Sequence, residues 1–112
     1  MLITEEQLRE IDLLSKDPGI KAVLIFKHST RCAISSMALA RVERSWNLPE
    51  KSVPVYFLDL LKYRSISDKI SVTYGIEHQS PQVLVIKNGK CIYSASHSDI
   101  SAADIYEACS SA

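Results

Sequence analysis

The chain has no excess of either charge, because thirteen Lys and Arg residues balance thirteen Asp and Glu residues over 112 positions. A chain with zero net charge has no positive electrostatic potential that would attract nucleic acid or an acidic membrane surface. Apolar runs are only a few residues long, far below the length of a membrane-spanning helix. The polar, acidic segment from Met1 to Arg9 is unlike a secretory signal. We therefore expect neither nucleic acid nor membrane as a partner.

Cysteine is also scarce, and the three thiols, Cys32, Cys91 and Cys109, are scattered along the sequence. An odd, scattered set is neither a disulfide framework nor a group of zinc ligands. We therefore expect no metal site, and a reducing cytoplasm is the natural location. The length suits a single domain over residues 1–112, and we expect a monomer.

The order of predicted elements indicates an α/β fold. A capping box at Thr4 and Gln7 starts an amphipathic helix that ends before Asp17-Pro18-Gly19. Strand–helix–strand spacing requires a right-handed parallel crossover, and Asn88-Gly89 between two apolar runs is a hairpin signal. These features predict a mixed four-stranded sheet flanked by helices. The further elements are strands at Ala22–Phe26, Val53–Leu58, Gln82–Lys87 and Lys90–Ala95, and helices at Ile34–Trp46, Ser65–Tyr74 and Ala102–Cys109, the last capped by Ser101.

Cys32 is the residue with the clearest chemical meaning. It lies after the first predicted strand and just before the helix that begins at Ile34. The free N–H groups and the dipole at a helix amino end favour an anion, so the thiol should ionise readily. A thiolate is the attacking species in disulfide exchange. The alternative is a structural cysteine, since free cysteine is often a small core residue.

The residues around Cys32 indicate a monothiol mechanism. The pattern is Cys-x-x-Ser, with Ser35 in the position where a dithiol enzyme has its second cysteine. A hydroxyl cannot resolve a mixed disulfide, so a second thiol molecule must do so. Positive charge at Arg31, and at Lys27 and His28, would lower the pKa of Cys32. The hydroxyl groups of Thr30 and Ser35 are close enough in sequence to donate hydrogen bonds to the thiolate.

A second segment with chemical meaning runs from His78 to Val83. Pro81 opens a predicted strand, which is a sheet position that tolerates the missing N–H. A cis Ser80–Pro81 bond would direct the Ser80 backbone outward, where it could pair with a bound thiol or peptide. An ordinary trans proline that starts a strand is the alternative. We expect Gln79, Ser80 and Pro81 to bind substrate.

The remaining candidates favour structural explanations. Cys91 alternates with Tyr93 in the last strand and is expected to be structural. Cys109 lies near the carboxyl end of the sequence, where an exposed, oxidisable thiol is expected, but it is badly placed to resolve Cys32. Ser96-His97-Ser98-Asp99 resembles a turn that leads into a helix, and adjacency in sequence does not make a catalytic triad.

The segments around Cys32 and Pro81 together resemble the thioredoxin superfamily and, within it, the monothiol bacilliredoxins or YtxJ-like proteins. The similarity covers Ile3 to Cys109 and rests on Ser-Thr-Arg-Cys-Ala-Ile-Ser and His-Gln-Ser-Pro-Gln-Val. The resemblance implies a thioredoxin-like fold with cis Pro81, and attack by Cys32 on S-bacillithiolated proteins. No cofactor is then bound, and a small thiol of the bacillithiol type is the co-substrate. Ala33 departs from the proline that is common in the family.

Three functions remain open from the sequence. The first is a monothiol disulfide reductase that acts on S-thiolated proteins. The second is a thioredoxin-fold binding or redox-sensing module without turnover, in which Cys32 is passive or regulatory. The third is an iron–sulfur scaffold in which Cys32 ligates a cluster shared across a dimer, although the sequence lacks a nearby second ligand.

Overall fold

The computed structural model describes residues 5–28, 53–59, 63–79 and 81–111. None of the helices in these ranges is long and apolar enough to cross a membrane. The predicted helix at Ile34–Trp46 and the capping residue Thr4 lie outside the described residues. The described helices are α1 (Glu5–Ser15), α2 (Arg64–Tyr74) and α3 (Ala102–Ser111), with a 3₁₀ turn at His97–Asp99, and the strands are β1 (Val23–His28), β2 (Val55–Asp59), β3 (Gln82–Lys87) and β4 (Lys90–Ser96).

The four described strands form one mixed sheet in the order β2-β1-β3-β4. β1 runs parallel to β2, with Leu24 opposite Val55, and antiparallel to β3, with Leu24 opposite Val85. β3 in turn pairs antiparallel with β4. The predicted mixed four-stranded sheet is therefore confirmed, together with the helix that precedes it. β1 and β3 are central and almost continuously apolar, as strands covered on both faces should be.

Each face of the sheet buries its own apolar cluster, because successive side chains of a strand point to opposite faces. The face towards α1 and α2 carries the α1/α2-face cluster, Ile11, Val23, Ile25, Leu58, Ile66, Ile70, Leu84 and Ile86. The opposite face carries the α3-face cluster, Ala22, Leu24, Phe26, Val53, Val83, Val85, Ile100, Ile105 and Cys109. A fully buried aliphatic side chain contributes about 1.5–3 kcal/mol, so these clusters are the main source of stability.

The hairpin between β3 and β4 turns at Asn88 and Gly89, as predicted. Both residues have positive φ, 53° and 74°, which is the backbone that a two-residue hairpin requires. The turn also binds the end of α1. The N–H of Asn88 donates to the carbonyl of Ser15 at 2.7 Å, and the N–H of Gly89 donates to Ser15 Oγ at 3.0 Å.

β4 contains a β-bulge that the sequence pattern does not reveal. The pairing with β3 shifts between Val85 and Ile86, which lie opposite Tyr93 and Cys91. The extra residue, Ile92, is partly exposed. Although they are two positions apart, Cys91 packs against the α1/α2-face cluster and Tyr93 against the α3-face cluster. Simple alternation would have put both side chains on one face.

Element boundaries differ from the predictions by a few residues. β1 continues through Lys27 and His28, two polar residues beyond the predicted end. β2 begins and ends later than predicted, at Val55 and Asp59. The predicted cap of the last helix is confirmed, because Ser101 Oγ accepts a hydrogen bond from the N–H of Asp104 at 3.4 Å.

Candidate functional site

The candidate site lies at the end of the sheet where β1 finishes and β3 begins. These strands are antiparallel neighbours, and Lys27 in β1 lies opposite Gln82 in β3. The segment that leaves β1 and the segment that enters β3 are therefore at the same end of the sheet. Cys32 follows the last residue of β1 by four positions, and Pro81 directly precedes β3.

Most of the residues expected to support the thiolate lie outside the described part of the chain. The site residues outside the described part are Cys32 itself and its expected supports Thr30, Arg31 and Ser35. Ser80 also lies outside it, so the isomer of the Ser80–Pro81 bond stays a prediction. Of the expected site residues, the structure describes His28, Gln79 and Pro81.

His28 closes β1 on the α3 face of the sheet. Its ring meets the Phe26 ring edge to face, with 6.2 Å between centroids and 66° between planes. Its Nδ1 atom is buried and has no hydrogen-bond partner among the described residues. A buried polar atom without a partner costs free energy. His28 therefore places a buried polar atom, unpaired within the described part of the chain, at the strand end that leads to Cys32.

Lys27 points to the other face and is fully buried. Its ammonium group donates to the carbonyl of Ser67 and to Ser71 Oγ, both at 3.3 Å on α2. Burial lowers the pKa of Lys27 to about 8, and the Asp68 carboxylate opposes this effect. From the sequence, Lys27 is expected to place a positive charge beside Cys32. The structure instead directs its ammonium group into the layer between β1 and α2.

Pro81 is buried, and its carbonyl accepts a hydrogen bond from the N–H of His97 at 3.0 Å. The next residue, Gln82, is also buried, and its Nε2 donates to the carbonyl of Glu77 at 3.0 Å. Its Oε1 is buried without a hydrogen-bond partner among the described residues. These contacts attach the start of β3 both to the 3₁₀ turn and to the preceding connection.

His78 begins the segment that leads to β3, and the sequence pattern assigns it no role of its own. Its Nδ1 lies 3.2 Å from Ser67 Oγ on α2. The pKa of His78 is lowered, first by burial and then by the charges of Lys27 and Arg64, while Asp68 opposes the shift. The imidazole is therefore held in its neutral form more firmly than a free histidine. A histidine close to a Ser-Pro pair was the available signal.

The other two cysteines lie away from this end of the sheet. Cys91 Sγ donates to the carbonyl of Tyr93 at 3.2 Å. Cys109 is only 2% exposed and belongs to the α3-face cluster, so the expectation of an exposed thiol there was wrong. The last helix packs this residue inward instead of fraying. Burial raises the pKa of both thiols, which keeps them protonated and weakly nucleophilic at neutral pH.

Comparisons with known proteins agree with this arrangement. Residues 1–105 match the family model of the monothiol bacilliredoxin BrxC. A solved structure described as an oxidoreductase with a thioredoxin fold is 27% identical, with a TM-score of 0.77 over 96% of this chain and 89% of the other. Thioredoxins of Malassezia sympodialis and Fasciola hepatica are both 19% identical. Their TM-scores are 0.70 and 0.68 over 98% of this chain and over 86% and 95% of theirs.

The two thioredoxins are too distant in sequence to establish more than the fold. The family match covers nearly the whole chain and includes both the Cys32 and the Pro81 segments. The chain therefore belongs to the monothiol bacilliredoxin family, and it is a thiol oxidoreductase with a thioredoxin fold.

Proposed function

We propose that this protein removes bacillithiol, or an equivalent small thiol, from mixed disulfides with proteins. The observation that carries the proposal is the pairing of Lys27 with Gln82, which brings the exit of β1 and the entry of β3 to one end of the sheet. Cys32 follows that exit in sequence, and Gln79, Ser80 and Pro81 precede that entry. A nucleophile and a peptide-docking backbone are the two parts that such a reaction needs.

The reaction has two thiol exchanges. The Cys32 thiolate attacks the bacillithiol sulfur of the mixed disulfide, and the protein sulfur leaves with the bonding electron pair and then takes up a proton. A disulfide between Cys32 and bacillithiol results. A second small thiol, as its thiolate, attacks the bacillithiol sulfur and releases the Cys32 thiolate. The protein cysteine is thus reduced, and the bacillithiol that it carried leaves as a disulfide with the second small thiol, which is the one thiol oxidised.

The chain's own residues support these steps without a bound cofactor. The helix expected after Cys32, together with Thr30, Arg31, Ser35 and His28, stabilises the thiolate. The backbone of Ser80 pairs with the extended chain of the protein substrate. Ser35 cannot attack the adduct, so the small thiol acts as a co-substrate and turnover depends on its concentration.

A de-thiolation assay tests this function. The substrate is a protein that carries bacillithiol on one surface cysteine, free bacillithiol is the second thiol, and intact mass follows the loss of the modification. We expect removal by the wild type and none by Cys32→Ser. A parallel assay with a glutathione mixed disulfide and glutathione tests which thiol is preferred. Failure of the wild type with both substrates, or full activity of Cys32→Ser, would refute the proposed function.

A further inference from the structure

The connection between α2 and β3 holds the expected docking residues, yet its described residues, 75–79 and 81, form neither helix nor strand. Side chains and neighbouring backbone must therefore hold it in place. Beyond the end of α2, where the N–H of Ile76 donates to the carbonyl of Ser71 at 3.2 Å, three further described hydrogen bonds do so, and each leads to a different element. Pro81 is bonded to the 3₁₀ turn after β4, Glu77 to the first residue of β3, and His78 to α2.

The contact from His78 is a side-chain bond to the helical layer. Its partner, Ser67, is fully buried in α2. The carbonyl of Ser67 also accepts a hydrogen bond from the buried ammonium group of Lys27. A polar path therefore runs from the end of β1, through α2, to the residue just before Gln79. The strand that leads to Cys32 and the docking connection are anchored on the same helical residue.

The chemistry of the His78 contact suits a fixed anchor. A neutral imidazole has one accepting and one donating nitrogen, and the Ser67 hydroxyl can donate or accept, so Nδ1 and Oγ are complementary in either tautomer. Burial, and then the nearby Lys27 and Arg64 charges, lower the pKa of His78 and disfavour a charged imidazole, while Asp68 opposes this effect. His78 is thus kept neutral, and its imidazole can hold the hydrogen bond to Ser67.

We propose that His78 is a positioning residue for the protein substrate, because its bond to Ser67 holds Gln79 and Pro81 at the sheet end where β1 finishes, four residues before Cys32 in sequence. This inference rests on the proposed function. His78 then contributes to the affinity for the S-thiolated protein, whereas other groups determine the reactivity of the Cys32 thiolate. A small reagent that needs no docking should therefore not depend on His78.

Two reactions of the same variants separate docking from reactivity. The first is de-thiolation of the S-bacillithiolated protein, analysed for KM and kcat, and the second is alkylation of Cys32 by iodoacetamide. For His78→Ala we expect a KM increase of roughly five-fold, equivalent to the loss of one neutral hydrogen bond. The alkylation rate and its pH profile should stay within about two-fold of the wild type, as the thiolate environment is unchanged.

Three further variants make the test specific to the contact. His78→Asn places a polar side-chain atom near the position of Nδ1 and should restore most of the KM. The double variant Ser67→Ala/His78→Ala should be no worse in KM than the worse single variant, since both remove one bond. His97→Asn is the matched control, because exposed His97 bonds to Pro81 through its backbone N–H, which Asn keeps, and Asn tolerates the positive φ of 55°.

The outcomes distinguish this inference from the function on which it rests. An unchanged KM in His78→Ala, with an active wild type, overturns the positioning role and leaves the proposed function standing. A parallel fall of exchange and alkylation, together with a lower melting temperature, shows a merely structural role and also overturns it. A wild type that removes no small thiol from any protein overturns both.

Discussion

At the scale of single residues, Lys27 is the side chain with the most unusual environment. A lysine is almost never fully buried without a partner carboxylate, because removing an ammonium group from water is costly. Lys27 has two neutral oxygen acceptors on α2, and no salt bridge to it is found among the described residues. Its lowered pKa follows from this environment, and it makes stability depend on pH.

Lys27 should make the protein more stable as the pH rises through the alkaline range. Its pKa is about 8 in the fold and 10.5 in the unfolded chain, so between these values the unfolded state binds the extra proton. The free energy of unfolding should therefore rise with pH in this window, by about 2 kcal/mol between pH 8 and pH 10 relative to Lys27→Met. Urea unfolding of both proteins at pH 7, 8, 9 and 10 measures the difference.

The matched control for this prediction is Lys16→Met. Lys16 is an exposed lysine of α1 that pairs with Asp12 at 3.0 Å, so its removal should leave the pH dependence of stability nearly unchanged. Equal slopes for the wild type and Lys27→Met between pH 8 and pH 10 would contradict the assignment of a buried, partly neutral amine.

The sequence reveals the type of these residues but not their environment. Lys27 follows an apolar run. A predicted strand that stops at Phe26 would leave Lys27 in a solvated loop beside Cys32. In the structure the strand continues for two more residues. The Lys27 side chain therefore points towards α2, and the His28 side chain points to the opposite face of the sheet. The role of His78 depends on Ser67, eleven residues earlier, and no local pattern indicates that contact.

At the scale of elements, the end of α1 and the β3–β4 hairpin form one unit through Ser15. The Ser15 hydroxyl accepts from the N–H of Gly89 and donates to the carbonyl of Asp12 at 2.7 Å, and the side chain is buried. The hairpin turn was predictable, because Asn-Gly supplies positive φ locally. The bond to α1 was not, because it depends on how the helix packs against the sheet.

Replacement of Ser15 by alanine should weaken this unit. The N–H of Gly89 would lose its acceptor in a partly buried position, which costs about 1–3 kcal/mol of unfolding free energy. Ser94→Ala, at an exposed position of β4, is the control and should change stability by less than about 0.5 kcal/mol. Equal stability of the two variants in urea unfolding would show that the hairpin does not depend on α1.

The Ser101 cap and the β-bulge in β4 show which features of an element a local sequence pattern can predict. The Ser101 cap was predictable from residue type, and so were the elements of the described sheet and their order. The β-bulge at Ile92 was not, because an extra residue in one strand is recognised only from its pairing with the neighbour. That bulge decides which face of the sheet receives Cys91.

At the scale of the whole molecule, the topology brings the end of β1 and the start of β3 to one end of the sheet. Strand order follows from the crossover and the hairpin, so the fold could be predicted from the sequence, whereas the meeting of Cys32 with Pro81 stays a prediction because Cys32 lies outside the described residues. The layer of buried polar contacts at this end of the sheet, through Lys27, Ser67 and His78, could not be predicted. It depends on three-dimensional packing between β1, α2 and the connection that follows.

The most direct test of the account is the intact mass of the protein after reaction with a small disulfide, with no thiol added. A monothiol mechanism predicts one stable thiol adduct on Cys32, released only by a second thiol. Cys91→Ser and Cys109→Ala should behave as the wild type, because burial keeps these thiols protonated. Ser35→Cys should close an internal disulfide and lose the adduct. A wild-type adduct that disappears without added thiol, or one that forms on Cys91 or Cys109 instead of Cys32, would contradict the monothiol mechanism.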